Sequence, residues 1–142
     1  MIKLEIPGWK KLDIKYLVCD YNGTLACDGK LIPGISDFLI GISQQVQIYV
    51  ITADTFGFAA EQLKDLPVKF EILPQDNQAE RKAEFIIELG SENCCCLGNG
   101  RNDKLMLQKS ALGICLLQKE GAAIEAIQLL KYPRRLIATL RC

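Results

Sequence analysis

The sequence has 142 residues, with 17 basic side chains, 17 acidic side chains and no histidine. Two domains of equal size would each lack an adequate hydrophobic core, so we predict a single domain over residues 1–142. The balanced charge and the absence of like-charge runs give no reason to expect nucleic acid or a charged membrane as a partner. Without histidine, Ser-His-Asp and Cys-His catalysis and histidine-based zinc hydrolysis are excluded, which leaves carboxylates, hydroxyls, lysine, thiols and hard metal ions.

Neither a membrane segment nor a secretory leader is predicted. No stretch approaches the roughly 18 consecutive apolar residues that a membrane span needs. Residues 1–8 also lack the continuous apolar run of a signal peptide. We therefore expect a cytoplasmic protein.

Seven cysteines are present, but no two of them form a CxxC pair of the zinc or thioredoxin kind. Three of them, Cys94, Cys95 and Cys96, lie in a segment that resembles a short buried strand. Free cysteine packs in such a strand as a small hydrophobic side chain. This composition favours buried structural thiols over metal binding or redox sensing.

Apolar runs alternate with helix-like segments along the chain, which is typical of an α/β domain built on a parallel sheet. A short hairpin is predicted over residues 2–6 and 11–14, around Pro7-Gly8. The first full strand is apolar without alternation, as expected for a strand that is covered on both faces. The predicted strands are residues 15–19, 46–51, 68–73, 93–97 and 113–117, and the predicted helices lie near 34–43, 57–64, 76–89, 102–110, 121–131 and 133–140.

Three of the predicted strands end in clusters of polar residues. These clusters are Asp20-Tyr-Asn-Gly-Thr-Leu25, Thr52-Ala-Asp-Thr55 and Gly98-Asn-Gly-Arg-Asn-Asp103. In open parallel sheets, sites form in the loops at the carboxyl ends of the strands. Three groups of carboxylates, amides, hydroxyls and glycines at one edge of the sheet therefore indicate a site.

Each cluster also has a purely structural interpretation. Asn22-Gly23 is a favoured hairpin turn, and Thr52 and Asp54 suit the N-cap of the following helix. Lys82 belongs to a charged helix, where lysine is usually solvated. The third cluster fits a turn followed by a helix cap, although its oxygens are also ligands of the kind that Mg²⁺ takes. The functional interpretation of the first cluster is an aspartate nucleophile followed by backbone donors that approach a phosphate.

Taken in chain order, the motifs resemble those of the haloacid dehalogenase superfamily of phosphohydrolases. The segments that carry the resemblance are Asp20-Tyr-Asn-Gly-Thr-Leu, Ile51-Thr-Ala-Asp, Lys82 and Gly98-Asn-Gly-Arg-Asn-Asp. The last segment and the residues after it are similar to the phosphorylation domain of P-type ATPases, and the whole chain resembles the small soluble proteins of that branch. The resemblance implies a three-layer Rossmann-like core with a mainly parallel five-stranded sheet, an N-terminal β-hairpin and no cap domain.

The resemblance also implies a magnesium site. Asp20 matches the nucleophile that becomes an aspartyl phosphate, and its carboxylate also binds Mg²⁺ in the family. Asn22 matches the residue that gives the metal its backbone carbonyl. Asn99 and Asp103 match the fourth motif, which completes the metal site.

The remaining matched residues are implied to bind the phosphate. Thr52 matches the hydroxyl that binds the transferring phosphoryl group, beside the backbone of Gly23 and Ala53. Lys82 matches the lysine that neutralises the nucleophile and the phosphate. Such chemistry needs no histidine, because phosphoryl transfer depends mostly on positioning and on neutralisation of oxygen charge.

Two residues depart from the family pattern. Most phosphatases of the superfamily have a second aspartate where this chain has Asn22, and that aspartate protonates the leaving group and activates water. Loss of a general acid/base typically slows catalysis by about 10² to 10⁴-fold. Asn99 stands where the fourth motif usually has aspartate, and a neutral amide binds Mg²⁺ more weakly than a carboxylate does. Slow turnover is the expected consequence.

The intervals between Asp20, Thr52 and Lys82 leave no room for a cap domain, so the resemblance implies an open site. Such a site either takes large substrates or receives a lid from a neighbouring subunit of a homo-oligomer, with the hairpin at residues 2–14 as the candidate contact. We expect a Mg²⁺-dependent phosphatase with a phosphorylated substrate. The alternative is a catalytically weak binding or regulatory module with the same fold.

Overall fold

The computed structural model describes residues 1–53, 57–119 and 121–128, and the backbone of residues 135–138. The strands are β1 (Ile2–Ile6), β2 (Lys10–Ile14), β3 (Tyr16–Asp20), β4 (Ala26–Cys27), β5 (Lys30–Leu31), β6 (Gln47–Thr52), β7 (Val68–Ile72), β8 (Cys94–Gly98), β9 (Leu112–Leu116) and β10 (Arg135–Ala138). The helices are α1 (Ile35–Ser43), α2 (Phe58–Leu63), α3 (Gln78–Leu89), α4 (Lys104–Lys109) and α5 (Ile124–Gln128).

The central sheet is parallel, with the strand order β10-β9-β8-β3-β6-β7. It confirms the α/β fold class and the five predicted strands, which are β3, β6, β7, β8 and β9. The antiparallel pair β1–β2 confirms the N-terminal hairpin. Because β3 lies in the middle of the sheet, the loop that follows it lies between the loops that follow β6 and β8.

The prediction of a helix near residues 133–140 is wrong, because residues 135–138 form β10 and pair in parallel with β9. Periodicity alone does not separate a short apolar helix from a short apolar strand. The open edge of β9 offers backbone partners, and the tertiary fold therefore decides the outcome. The sheet gains a sixth strand beyond the five predicted.

The helix predicted near residues 121–131 is present as α5, although residues 120 and 129–131 lie outside the described part of the chain. Helices α1 to α4 agree with their predicted positions. In the part of the chain that the structure describes, no helix combines the length and the apolar character that crossing a membrane requires.

The core lies on both faces of the sheet. Leu17 and Cys19 of β3 belong to the cluster on the face of α1 and α2, whereas Val18 belongs to the cluster on the face of α3 and α4. Successive side chains of a strand point to opposite faces. The next residue on the face of Val18 is Asp20, so the alternation directs its carboxylate towards α3.

The interpretation of Asn22-Gly23 as a hairpin turn is wrong. The backbone N–H groups of Thr24, Leu25 and Ala26 all donate to the carbonyl of Tyr21, at 2.9 to 3.2 Å, and form a tight loop there. The hairpin turn lies further on, between β4 and β5, where Asp28 and Gly29 have φ angles of 50° and 76°. Positive φ at both central residues is typical of a type I′ turn.

The interpretation of Cys94, Cys95 and Cys96 as buried thiols of a strand is confirmed, whereas Cys27 is half-buried. Cys19, Cys94, Cys95, Cys96 and Cys115 are buried and free. Burial raises the pKa of the Cys95 thiol to about 12, helped by the neighbouring Cys94. A thiol with such a pKa is protonated near neutral pH and is a poor nucleophile.

Candidate active site

Three charged side chains meet at the carboxyl edge of the sheet. The ammonium of Lys82 donates to Asp20 Oδ1 at 2.6 Å and to Asp103 Oδ1 at 2.7 Å. Lys82 and Asp103 are fully buried, and Asp20 is 7 % exposed. Lys82 therefore bridges two carboxylates that come from two different strand ends.

The fold explains how each of the three residues reaches this point. Asp20 is the last residue of β3 and points towards α3, as the alternation along the strand requires. Lys82 lies one turn before the buried Ile86 of α3, so it occupies a position that faces the sheet. Its interpretation as solvated surface is wrong. The i, i+4 spacing between Lys82 and Ile86 is the sequence signal for this burial.

Asp103 is held by its own loop as well as by Lys82. Its Oδ2 accepts hydrogen bonds from the backbone N–H groups of Asn99 at 3.0 Å and Gly100 at 2.8 Å. A Cβ atom on Gly98 would lie 2.6 Å from the Cβ of Asp103, so only glycine leaves room for this side chain. The turn predicted for this cluster is therefore present, and it also directs the other carboxylate oxygen towards Lys82.

The site carries an excess of negative charge, because two buried carboxylates face one ammonium. Burial, and then repulsion from Asp103, raise the pKa of Asp20 to about 7, although Lys82 acts in the opposite direction. Burial alone would lower the pKa of Lys82, but Asp20 and Asp103 raise it above its ordinary value. Lys82 is therefore charged at neutral pH, whereas Asp20 loses its proton only near neutral pH.

This charge imbalance predicts that Asp20→Asn stabilises the metal-free protein. The folded state binds a proton at Asp20 more tightly than the unfolded state, whose pKa is near 3.8. The contribution of this group to stability is therefore present at low pH and is lost as the pH rises from about 4 to about 7. In thermal melts with a chelator, the variant should exceed the wild type in Tm by a margin that grows between pH 5 and pH 8. A constant margin would contradict the electrostatic cause.

Asn99 connects three loops through its side chain and backbone. Its Oδ1 accepts a hydrogen bond from Thr24 Oγ1 at 3.3 Å, and its Nδ2 donates to the carbonyl of Gly121 at 3.5 Å. Its backbone carbonyl accepts a hydrogen bond from Ala123 N–H at 2.8 Å. The side chain at position 99 therefore has to accept a hydrogen bond with one atom and donate a hydrogen bond with another. An amide does both, whereas an ionised carboxylate only accepts.

We expect Asn99→Asp to lower the free energy of unfolding by about 1 to 2 kcal/mol in metal-free buffer, since the Gly121 carbonyl loses its donor and a third carboxylate joins the site. Urea unfolding measures this difference. The matched control is Asn102→Asp, which makes the same change in the same loop and should have little effect. If the two variants are equally stable and only Asn99→Asp tightens Mg²⁺ binding, Asn99 acts as a metal ligand instead of a bridge.

The other residues predicted for the site lie around the charged cluster. Thr52 is buried and ends β6, directly after Ile51, which pairs with Asp20 across the two strands. Since it belongs to the strand, its interpretation as a helix N-cap is wrong, and α2 has Gly57 as its N-cap. Ala53 follows Thr52 and is partly exposed, whereas residues 54–56 lie outside the described part of the chain.

Two predicted residues form the loop directly after Asp20. Asn22 lies two residues after Asp20 and is exposed. Gly23 is buried with φ +73°, and a Cβ atom there would lie 2.2 Å from Asn99 Nδ2. Glycine is therefore required at this position both for its backbone conformation and for its close contact with Asn99.

Sequence reasoning missed the contacts by which two residues hold these loops together. Thr24 is fully buried and contacts Asn99, and Gln118 Nε2 donates to the Thr24 carbonyl at 2.6 Å. The position of Gln118 after β9, at the carboxyl edge of the sheet, is a weak signal that it belongs to the site. Without the fold, its contact with Thr24 has no sequence signal, because 94 residues separate the pair.

The oxygen donors of the site are of the kind that a hard divalent cation takes. Among the described residues, no group of three or more Asp, Glu or Cys side chains is arranged to hold a metal ion. Mg²⁺ commonly takes one or two carboxylates together with phosphate oxygens and water, so a complete cage of side chains is not required. The negative excess at Asp20 and Asp103 is the charge that such a cation would neutralise.

Comparison with known proteins shows a short sequence relative. No family model matches the chain. The chain is 38 % identical over 39 residues to the uncharacterized protein MJ0072 of Methanocaldococcus jannaschii. This match covers 28 % of the chain and 89 % of MJ0072.

Solved structures share the fold over most of both chains. One of them is a 3-deoxy-D-manno-octulosonate 8-phosphate phosphatase of Moraxella catarrhalis in complex with magnesium, phosphate and KDO. It superposes on this chain with a TM-score of 0.67 at 15 % sequence identity, and the superposition covers 88 % of this chain and 76 % of the phosphatase. The cobalt-bound enzyme YrbI of Haemophilus influenzae also gives 0.67, at 12 % identity, with 89 % and 79 % covered. The haloacid dehalogenase-like hydrolase SP0104 of Streptococcus pneumoniae gives 0.62 at 13 % identity, with 87 % and 93 % covered. The chain therefore belongs to the same family as the archaeal protein MJ0072 and has the fold of the haloacid dehalogenase superfamily.

Proposed function

We propose that the protein is a Mg²⁺-dependent phosphohydrolase that acts through an aspartyl phosphate on Asp20. The observation that carries this proposal is the buried Lys82 bridging Asp20 and Asp103 at the carboxyl edge of the sheet. The phosphatases named above, with magnesium and phosphate in one and cobalt in another, support the same chemistry. The resemblance to the soluble P-type ATPase branch stays a prediction.

The reaction takes place in two displacements at phosphorus. In the first, a carboxylate oxygen of Asp20 forms a bond to phosphorus and the bond to the leaving-group oxygen breaks, with the leaving group taking a proton from water. In the second, a water oxygen attacks the phosphorus of the aspartyl phosphate and the bond to Asp20 breaks. Inorganic phosphate is released, the proton of the attacking water passes to solvent or phosphate, and the carboxylate is regenerated.

The surrounding residues bind and neutralise the phosphoryl group. Lys82 offsets the charge that Asp20 and the phosphate bring together, and Asp103 holds the ammonium in place through a second ion pair. Thr52 and the backbone at Gly23 and Ala53 supply donors to the phosphoryl oxygens. Asp20, the carbonyl of Asn22 and the loop of Asn99 and Asp103 would hold Mg²⁺, which would supply positive charge to the phosphoryl oxygens.

Asn22 limits the rate of both displacements. Its amide neither protonates a leaving group nor takes a proton from water at neutral pH. Aryl phosphates, whose leaving groups need little protonation, should therefore react faster than alkyl phosphates. Slow turnover and a long-lived aspartyl phosphate are the expected kinetic signature.

The test is hydrolysis of an aryl phosphate with and without Mg²⁺, by the wild type and by Asp20→Asn. We expect activity that needs both the cation and the carboxylate, and one added phosphoryl group on the acid-quenched wild type by mass spectrometry. Asp37→Asn, an equivalent change at an exposed position of α1, is the matched control and should remain active. Equal hydrolysis by the wild type and Asp20→Asn would reject the proposal.

A binding or regulatory module is the second candidate function. The observation that favours it is the amide of Asn99, which is engaged by Thr24 and Gly121 instead of presenting a carboxylate to a cation. Such a module binds a phosphorylated ligand without releasing phosphate. Calorimetry with inorganic phosphate and Mg²⁺ measures binding, and the aryl phosphate assay measures turnover. The binding module would bind phosphate but show no turnover at any aryl phosphate concentration, whereas the phosphohydrolase would show turnover.

A further inference from the structure

Strand β7 forms one edge of the central sheet and pairs only with β6 within the described residues. The side chains of Lys69 and Glu71 are exposed, and Ile72 is 59 % exposed although it is a large apolar residue. An edge strand with an exposed apolar side chain offers unpaired backbone groups to another chain. One strand, β6, separates this edge from β3, which carries the catalytic candidate.

The orientation of the backbone can be derived from one hydrogen bond. Leu73 N–H donates to the carbonyl of Thr52 at 2.9 Å, so the backbone groups of Leu73 point towards β6. Backbone groups of successive residues in a strand point to opposite sides. The N–H and C=O groups of Phe70 and Ile72 therefore point away from the sheet and are available to a second strand.

The sequence of β7, Val-Lys-Phe-Glu-Ile, is complementary to itself in the antiparallel direction. Pairing of two copies about Phe70 brings Lys69 of each copy opposite Glu71 of the other. It also brings Ile72 opposite Val68, on the other face of the sheet. Opposite charges in directly facing positions stabilise strand pairing, and like charges destabilise it.

The two charged side chains of β7 differ in the contacts they make within their own copy. Glu71 has no ion-pair partner among the described residues. Lys69 lies against the ring of Tyr49, 5.3 Å from its centroid, and donates weakly to the Tyr49 hydroxyl at 3.5 Å.

A parallel, in-register pair would bring lysine opposite lysine and glutamate opposite glutamate, so the charges select the antiparallel arrangement.

We propose that the protein forms a homodimer through antiparallel pairing of β7 with β7 of a second copy, with Phe70 at the twofold axis. The outward N–H and C=O groups of Phe70 in the two copies bond to each other, and Ile72 is covered by Val68 of the second copy. The central sheet then runs continuously through both copies. Because the two β7 strands are antiparallel, the carboxyl edges of the two sheets point in opposite directions, and neither copy covers the site of the other.

Sedimentation velocity of the full chain over a range of micromolar concentrations tests the proposal. The wild type should show a concentration-dependent dimer. Lys69→Glu and Glu71→Lys each place like charges opposite one another twice per dimer, so each should raise the dissociation constant by about tenfold or more. The matched control is Glu88→Lys, the same charge reversal at an exposed position of α3, and it should dimerise as the wild type does.

Combining the two changes identifies the register. The double variant Lys69→Glu/Glu71→Lys restores opposite charges and should recover the dimer, and an equimolar mixture of the two single variants should form a heterodimer. Circular dichroism of each variant verifies folding. A wild type that remains monomeric over the whole range would overturn the proposal, as would single variants that dimerise as strongly as the wild type. Failure of the double variant to recover would overturn the register.

Discussion

Asn22→Asp is expected to raise the turnover of phosphate esters by about 10² to 10⁴-fold, the range that a positioned general acid/base contributes. The exposed Asn22 lies two residues after Asp20, and its replacement supplies the missing acid for the leaving group and base for water. Steady-state hydrolysis of an aryl and an alkyl phosphate by both proteins measures the effect. The gain in the first displacement should be larger for the alkyl phosphate, because its leaving group needs the proton more.

The matched control is Asn22→Ser, which also removes the amide but supplies no carboxyl group, and it should stay within a few-fold of the wild type. The gain in turnover should disappear when calcium replaces magnesium or when a chelator is added, if the new carboxyl group acts at the same metal-dependent step. An unchanged rate in Asn22→Asp, in protein that remains folded, would favour the binding module over the phosphohydrolase.

Lys82→Met is expected to abolish Mg²⁺-dependent hydrolysis and to lower the free energy of unfolding by about 3 to 5 kcal/mol. The reason is that Asp20 and Asp103 remain buried after their shared cation is removed, and an unpaired buried charge is costly. Methionine has a similar length, so the change in packing is small. Urea unfolding at pH 8 in metal-free buffer measures the loss of stability.

Two further variants separate the electrostatic cause from packing. Lys82→Met/Asp20→Asn removes one of the two carboxylates and should be more stable than Lys82→Met, since Asp103 keeps its backbone donors from Asn99 and Gly100. Lys109→Met, at an exposed position of α4, should change stability little. If the double variant is less stable than the single variant, packing rather than charge holds the site together.

Much of the sheet and of the site could be predicted because it depends on local sequence. The strands β3, β6, β7, β8 and β9 are short apolar segments whose burial on both faces is visible as a lack of alternation. The polar residues that follow β3, β6 and β8 converge because parallel strands place their carboxyl ends at one edge. Asp20 and Asp103 were therefore expected near one another, whereas only the family resemblance placed Lys82 with them, and the structure brings all three into contact.

The predictions that failed concern segments whose structure depends on their tertiary contacts rather than on the conformational preference of their own residues. β10 is a strand because β9 has an open edge, which no property of residues 133–140 reveals. Lys82 is buried because two carboxylates from distant segments compensate its charge, whereas a lysine in a charged helix is ordinarily solvated. The deviation from the ordinary preference occurs at the candidate site, where such deviations are expected.

By itself, the sequence determined the α/β class, the order of the strands along the chain and the types of chemical groups available, because these depend on periodicity, turn residues and composition. Only the tertiary structure decided how those groups act on one another. It set the charge balance that raises the pKa of Asp20 to about 7, and it linked Asn99 to Thr24 and Gly121 as a bridge between loops. The physical reason is that burial, distance and the count of nearby charges are properties of the packed molecule, and none of them is encoded at a single position.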